Sequence, residues 1–283
     1  MNTVTVSQLN LYPVKSLRGI AVDQWPLTPQ GLLHDRQWML VMPNGRFVSQ
    51  RQLTQMALID VYFDHQSLVF SKSGQGSIGI DLPCAGVGET LKAKVWNDEC
   101  EVIESHNEAS SWLNQVLKPP QPLKLVHLAQ NQQRPQSEPE RFGYQTQVKF
   151  ADAVPYLISN EQSINELNKI LSQKGKATVD NRHFRPNIVI DGLDAFQEHQ
   201  VKMLYPTDKQ YQLQLIDHCE RCIITTINPD TAKKNSSLEP LKTLTEINPM
   251  PTKAHAAAFG VNAIIKMQKN LQIISVGDTL RYE

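Results

Sequence analysis

The chain has 283 residues, 40% of them hydrophobic, and balances 28 Lys and Arg against 28 Asp and Glu. That length and apolar content build a real core of one large or two ordinary domains, and zero net charge leaves no overall field to recruit nucleic acid or an anionic membrane. Four unevenly spaced cysteines make no disulfide framework, no apolar run approaches the ~20 residues of a spanning helix, and the N-terminus has no secretory h-region, so a cytoplasmic protein without membrane segments is expected.

Short alternating or β-branched runs dominate in chain order: 4–12, 37–42, 57–63, 67–71, 92–96, 101–103, 123–128, 187–190, 211–216, 222–227 and 272–276 read as strands. The expected fold class is therefore mainly β (α+β). Pro43-Asn44-Gly45 and Ser73-Gly74-Gln75-Gly76 mark turns, and Pro119-Pro120-Gln121-Pro122 marks a linker, which divides the chain into 1–122 and 123–283. Two scaffold helices are expected, 110–117 and 160–172; in the second, Ile164, Leu167, Ile170 and Leu171 form one apolar stripe, with Ser159 or Asn160 as the cap. Residues 131–144 are polar and proline-rich and read as a surface loop.

Four segments carry chemistry. Tyr12-Pro13-Val14-Lys15-Ser16-Leu17-Arg18-Gly19 ends a strand with a cation, a hydroxyl and a glycine, groups that hold a phosphate, although the frame of a nucleotide P-loop is missing. His34-Asp35-Arg36-Gln37 leads an ion pair into a strand, for which an exposed pair is the ordinary explanation. Asn181-Arg182-His183-Phe184-Arg185-Pro186-Asn187 sets two arginines three apart before an apolar strand, suiting phosphate or carboxylate recognition.

The fourth segment, Cys219-Glu220-Arg221-Cys222, joins two thiols to a guanidinium beside His218. A thiolate ligates soft or high-valent metals, and Arg221 and His218 are expected to favour the charged form of either sulfur. A zinc knuckle needs a second close pair, and Cys84 and Cys100 are isolated. A thioredoxin-type pair opens a helix, whereas β-branched residues follow Cys222 here. A single ligating or nucleophilic cysteine with the other as its neighbour stays open, and the residues alone do not rank the two.

Together these segments resemble the MOSC family, named for the C-terminal domain of molybdenum cofactor sulfurases, with its N-terminal β-barrel partner. The resemblance runs nearly the whole chain. It is carried by Tyr12-Pro13-Val14-Lys15-Ser16, Asp35-Arg36-Gln37-Trp38-Met39-Leu40-Val41, Ser49-Gln50-Arg51, Phe184-Arg185-Pro186-Asn187-Ile188-Val189-Ile190, the Cys219 to Thr231 motif, Phe259-Gly260-Val261-Asn262 and Val276-Gly277-Asp278. It is similar above all to the amidoxime-reducing and bacterial hydroxylaminopurine-resistance branch. Ala232 departs from the pattern, standing where relatives often have glycine.

The resemblance implies two β-barrel domains and a mononuclear molybdenum centre held by the dithiolene of a molybdopterin, with Cys222 as metal ligand and catalytic residue. Lys15, Ser16, Arg36 and Arg185 fall on its cofactor-anchoring positions, and Arg51, Ser159, Asn187 and Arg221 on further pocket positions. The implied reaction reduces N-hydroxylated small molecules (hydroxylamines, amidoximes, N-hydroxylated bases) to the N–H form. The domain class also carries an association with pyridoxal phosphate. No ferredoxin-type cysteine run is present, so the electrons are expected from a separate electron-transfer protein of ferredoxin, flavoprotein or cytochrome type. His183, His218 and Asp217 are open as proton sources. Two rival readings use the same residues: a sulfur carrier with a Cys222 persulfide, and a non-catalytic molybdopterin-binding module.

Overall fold

The structure, a computed structural model, describes residues 2–134, 138, 140, 146–268 and 271–283. Its centre is a ring of seven strands. Tyr156–Asn160, Ile188–Asp191, Thr3–Leu11, Thr279–Tyr282, Met203–Tyr205, Tyr211–Glu220 and Lys253–Met267 pair in that order, and Lys253–Met267 pairs back onto Tyr156–Asn160. The closing contact sets Tyr156 opposite Ala263, so these strands leave no edge between them. Only Tyr156–Asn160 and Ile188–Asp191 run parallel within the ring, and the helix Glu161–Gln173 lies in the connection that parallel pairing requires.

The first strand shows how residue pattern becomes packing. Val4 and Val6 face the core, then Leu9 and Leu11, so the two-residue period slips by one. The pairing with Ile188–Asp191 shifts register between Val6 and Gln8, and this bulge absorbs the slip. Ile158, Ile188, Ile190, Leu213, Leu215, Val261, Ala263 and Leu280 complete the interior.

Three sheets cross the division expected at 119–122. Thr3–Leu11 belongs to the ring, Met39–Val41 pairs with Lys124–Leu128, and Gln24–Thr28 pairs with Gln272–Ser275. A strand completes its hydrogen bonds wherever an edge is open, and a proline-rich linker does not restrict that choice to near neighbours in sequence. Met39–Val41 and Lys124–Leu128 continue into a four-stranded sheet with Asp98–Glu104 and Val87–Val95, and Asp60–Asp64, Ser67–Ser71 and Ser77–Asp81 form a three-stranded sheet. The helix Asn107–Leu117, capped by His106, buries Ala109, Leu113 and Val116 in the core shared with Trp38, Leu40 and Phe70.

The mainly β class is therefore observed, with three described α-helices. Glu161–Gln173 is capped by Asn160 and buries Ile164, Leu167 and Leu171 against Phe184 and Phe259. Residues 57–63 divide into the 3-10 turn Thr54–Leu58 and the strand Asp60–Asp64. The largest strand missed in the sequence, Lys253–Met267, carries three successive alanines and Gly260. Those residues have weak β preference and are placed by burial between neighbours. Of the expected loop 131–144, residues 135–137, 139 and 141–145 lie outside the described residues. Its Arg134 is buried rather than on the surface: the guanidinium pairs with Asp98 at 2.8 Å and donates to Lys149 O and Ala151 O. No helix among the described residues is long and apolar enough to cross a membrane.

Candidate functional site

The strand Tyr211–Glu220 runs beside Lys253–Met267 until Glu220 meets Ala258, and Arg221 N then donates to Ala257 O. The strand expected over 222–227 does not form. Cys222 is extended, and Ile223–Thr226 coil into a 3-10 turn. The threonines explain it: Thr225 Oγ1 donates to Cys222 O at 2.9 Å and Thr226 Oγ1 to Ile223 O at 2.8 Å, a local alternative to a sheet ladder. Ala232, which stands where glycine was expected, takes the left-handed backbone with φ +55°, and its N–H reaches Asn228 O at 2.8 Å.

Each cysteine has its own arginine. Arg51 Nη2 donates to Cys222 Sγ at 3.0 Å, and Arg221 Nη1 donates to Cys219 Sγ at 2.9 Å. Burial pushes the Cys219 thiol up and outweighs Arg221, which favours the charged form as expected.

Both sulfurs line a cleft with Lys15, Ser16, Arg36, Arg185, Asn187 and Arg221. The residues expected from three distant segments thus converge. Ser16, Arg36 and Arg185 all have left-handed backbone, with φ of +71°, +44° and +59°, a strained conformation that persists where the surroundings over-determine it. Tyr12 is the wedge between two of them: the Arg36 and Arg185 guanidiniums sit 4.4 and 4.2 Å from its ring centroid. Arg36 pairs with Asp35 and donates to Arg185 O at 3.0 Å, and Arg185 Nη1 donates to Leu17 O at 2.7 Å. Burial and, secondarily, the neighbouring Arg36 lower Arg185 to about 10, although Tyr12 opposes them. Burial also pushes Tyr12 up to about 12.

Lys15 is buried and donates to Phe150 O at 2.8 Å and to Asp152. Burial lowers its ammonium, with Asp152 opposing. Partial loss of water would raise the Asp152 carboxyl, although 62% of its side chain stays exposed, but Lys15, Trp96 and Arg51 hold it well below the usual carboxylate range. Arg134 fixes the backbone that presents both partners, through Lys149 O and Ala151 O.

Two expected positions have other roles. Ser159 is buried and bonds Asn181 Oδ1 at 3.1 Å, away from the cleft lining. Asn187 lines the cleft, but its amide is committed to the backbones of Leu157 and Asn10. Of the open proton sources, His183 accepts from Asp180 N, His218 stacks on His199 at 3.9 Å, and neither they nor Asp217 line the cleft. Sequence reasoning missed Asp152, Phe150, Tyr12 and Trp96. Only Tyr12 had a signal, as first residue of the Tyr-Pro-Val-Lys-Ser run.

These residues fit an anionic, sulfur-ligated cofactor. Among the described residues, Lys15 pairs with Asp152 and Arg36 with Asp35, and the buried Arg221 Nε has no hydrogen-bond partner. A buried guanidinium N–H without an acceptor is costly, and a bound phosphate or pterin oxygen would satisfy it.

Residues 3–120 match the MOSC N-terminal beta barrel domain and residues 145–281 the MOSC domain. The chain is 32% identical to human mitochondrial amidoxime-reducing component 1 over 97% of its own length and 81% of that protein's. It is 30% identical to Bos taurus mitochondrial amidoxime reducing component 2 over 85% of this chain and 71% of that one. It is also 28% identical to the molybdenum cofactor sulfurase of Solanum lycopersicum, over 84% of this chain and 31% of that longer protein. With both domains matched in order and a cysteine set in a cationic cleft between them, the chain belongs to the MOSC family.

Proposed function

We propose that the protein is a molybdenum-cofactor-dependent oxidoreductase that reduces N-hydroxylated small molecules to their N–H form with electrons from a separate redox protein. The overall change is R–NHOH + 2e⁻ + 2H⁺ → R–NH₂ + H₂O. The carrying observation is the junction in one cleft of a partly buried cysteine, held by Arg51, with cations that have too few carboxylates. When bound, the molybdenum cofactor supplies the two-electron centre for cleaving the N–O bond.

The chain's own residues provide anchorage and orientation. Cys222 would ligate the metal, and Arg51 orients its sulfur through the Nη2–Sγ hydrogen bond. Lys15, Arg36, Arg185 and Arg221 would hold the phosphate and pterin oxygens, with Ser16 at the same wall. Asp152 stays ionised and fixes Lys15, which keeps the ammonium charged inside the protein. The four free cysteines suit a reducing compartment, and we assign the protein to the cytoplasm.

The test is molybdenum and pterin content of protein made in a cofactor-competent host, for wild type and Cys222→Ala. Near-stoichiometric metal that falls in the variant, with turnover of amidoximes under a chemical reductant, is expected. Protein that carries a Cys222 persulfide and neither metal nor pterin would overturn the proposal in favour of sulfur carriage. Metal without turnover would leave a cofactor-binding module.

A further inference from the structure

Trp96 occupies a position that folding alone gives no reason to fill with tryptophan. Val95 pairs with Asp98, so Trp96 and Asn97 make a two-residue hairpin turn. Trp96 has φ +57°, at the first turn position, where glycine is the residue that a type II′ turn prefers. A bulky residue there is strained, and 43% of its surface is exposed. Strain and exposure are both removed by a glycine.

The surroundings nevertheless fix the ring. Its Nε1 donates to Asp152 Oδ1 at 2.8 Å, Phe47 meets it edge-on at 5.3 Å, and the Arg51 guanidinium lies 4.8 Å from the ring centroid. Arg51 also donates to Cys222 Sγ, and Asp152 lines the cleft with 62% of its side chain exposed. The indole therefore joins Asp152 of the cleft wall to Arg51, the sulfur's own hydrogen-bond donor, from just outside the lining residues, while much of its surface remains open.

We infer that Trp96 is the specificity-determining residue for substrates at this site: its exposed indole takes the planar ring of an aryl or heteroaryl N-hydroxylated compound. Offset stacking on an indole favours such a ring over an alkyl group of similar reactivity. Asp152, the ionised acceptor beside the indole, suits a head rich in N–H groups, such as an amidoxime. The inference rests on the oxidoreductase reading for its substrate class, but the platform itself needs no cofactor.

The experiment has two arms. In the cofactor-loaded enzyme with a chemical reductant, kcat/KM is measured for benzamidoxime and acetamidoxime in wild type, Trp96→Ala and Trp96→Phe. The aryl-over-alkyl preference falls about tenfold in Trp96→Ala, mainly through KM, and is largely kept in Trp96→Phe. An equal fall on both substrates would mean that Trp96 only supports Arg51, and the inference is overturned. In cofactor-free protein, tryptophan fluorescence is titrated with benzamidine and with acetamidine. Benzamidine-specific quenching that disappears in Trp96→Phe supports the platform; no such difference overturns it. If quenching is found but neither amidoxime is reduced, the oxidoreductase reading fails and the binding role of Trp96 stands.

Discussion

Two arginines three residues apart, Arg182 and Arg185, look alike in the sequence and meet opposite surroundings in the fold. Arg182 is half exposed and saturated with acids: it chelates Asp230 at 2.7 and 2.8 Å and Asp180 at 2.7 Å. Nearby Arg18 is likewise matched, by Asp60 at 2.9 Å and Asp230 at 3.7 Å. Arg185 stacks on Tyr12, donates to a carbonyl and repels Arg36, with no ion pair to relieve it among the described residues. An anion site is marked less by arginines than by arginines whose carboxylates are missing.

The sharpest test of that contrast is cofactor retention. Arg185→Gln removes an unpaired donor from the cleft, and pterin content after gel filtration should fall at least tenfold, from a charge-assisted hydrogen bond of roughly 1.5–3 kcal/mol. Arg182→Gln should leave it unchanged. Equal loss in both variants would break the comparison.

A somewhat smaller effect is expected without any cofactor. Phosphate at matched ionic strength should raise the melting temperature of the cofactor-free protein by about 2–6 °C relative to chloride, because it binds the folded cleft and not the unfolded chain. The shift should shrink in Arg185→Gln and persist in Arg182→Gln. A shift that is the same in all three proteins would place the phosphate elsewhere.

The smallest effect is in pH dependence, where the window and not the sign differs between the clusters. Hydrogen bonds from Arg182 hold the Asp230 carboxyl below its ordinary value. A carboxyl with a depressed folded value stabilises the fold above its unfolded value of about 3.9, and that contribution is lost as pH falls through the folded value. The stability difference between wild type and Arg182→Gln should therefore be steady near pH 6 and shrink below about pH 4, from under about 1 kcal/mol for so exposed a pair. Arg185 has the same slope in an alkaline window. Burial lowers it to about 10, so above that value the unfolded chain binds more protons and folded stability gained from this group rises with pH. Chemical denaturation across pH, with both variants, measures each slope.

Much of the cleft was legible because its chemistry sits in short runs. Lys15 with Ser16, Arg36, Arg185 and the pair Cys219 and Cys222 each have a local signature, a cation or thiol at the end of an apolar strand. Trp96 and Asp152 had none: they meet across 56 residues, and nothing beside either announces the other. Ser159 shows the reverse failure. Its neighbourhood in the sequence resembles a pocket position, but its hydroxyl is spent on Asn181. The turn after Cys222 was misread because β-branched threonines suit a strand until their hydroxyls find carbonyls three residues back.

The amino-acid sequence by itself determined the mainly β class, the capped helix after Asn160, and the thiol and cationic groups available for chemistry, because periodicity, capping and side-chain type are local properties. Tertiary structure alone decided that Thr3–Leu11 joins a ring with strands more than 150 residues later. It likewise decided which arginines are left without carboxylates and which sulfur Arg51 reaches. Those outcomes depend on closing strand edges and on burying charge, and both are settled only when distant segments compete for the same hydrogen bonds and the same interior.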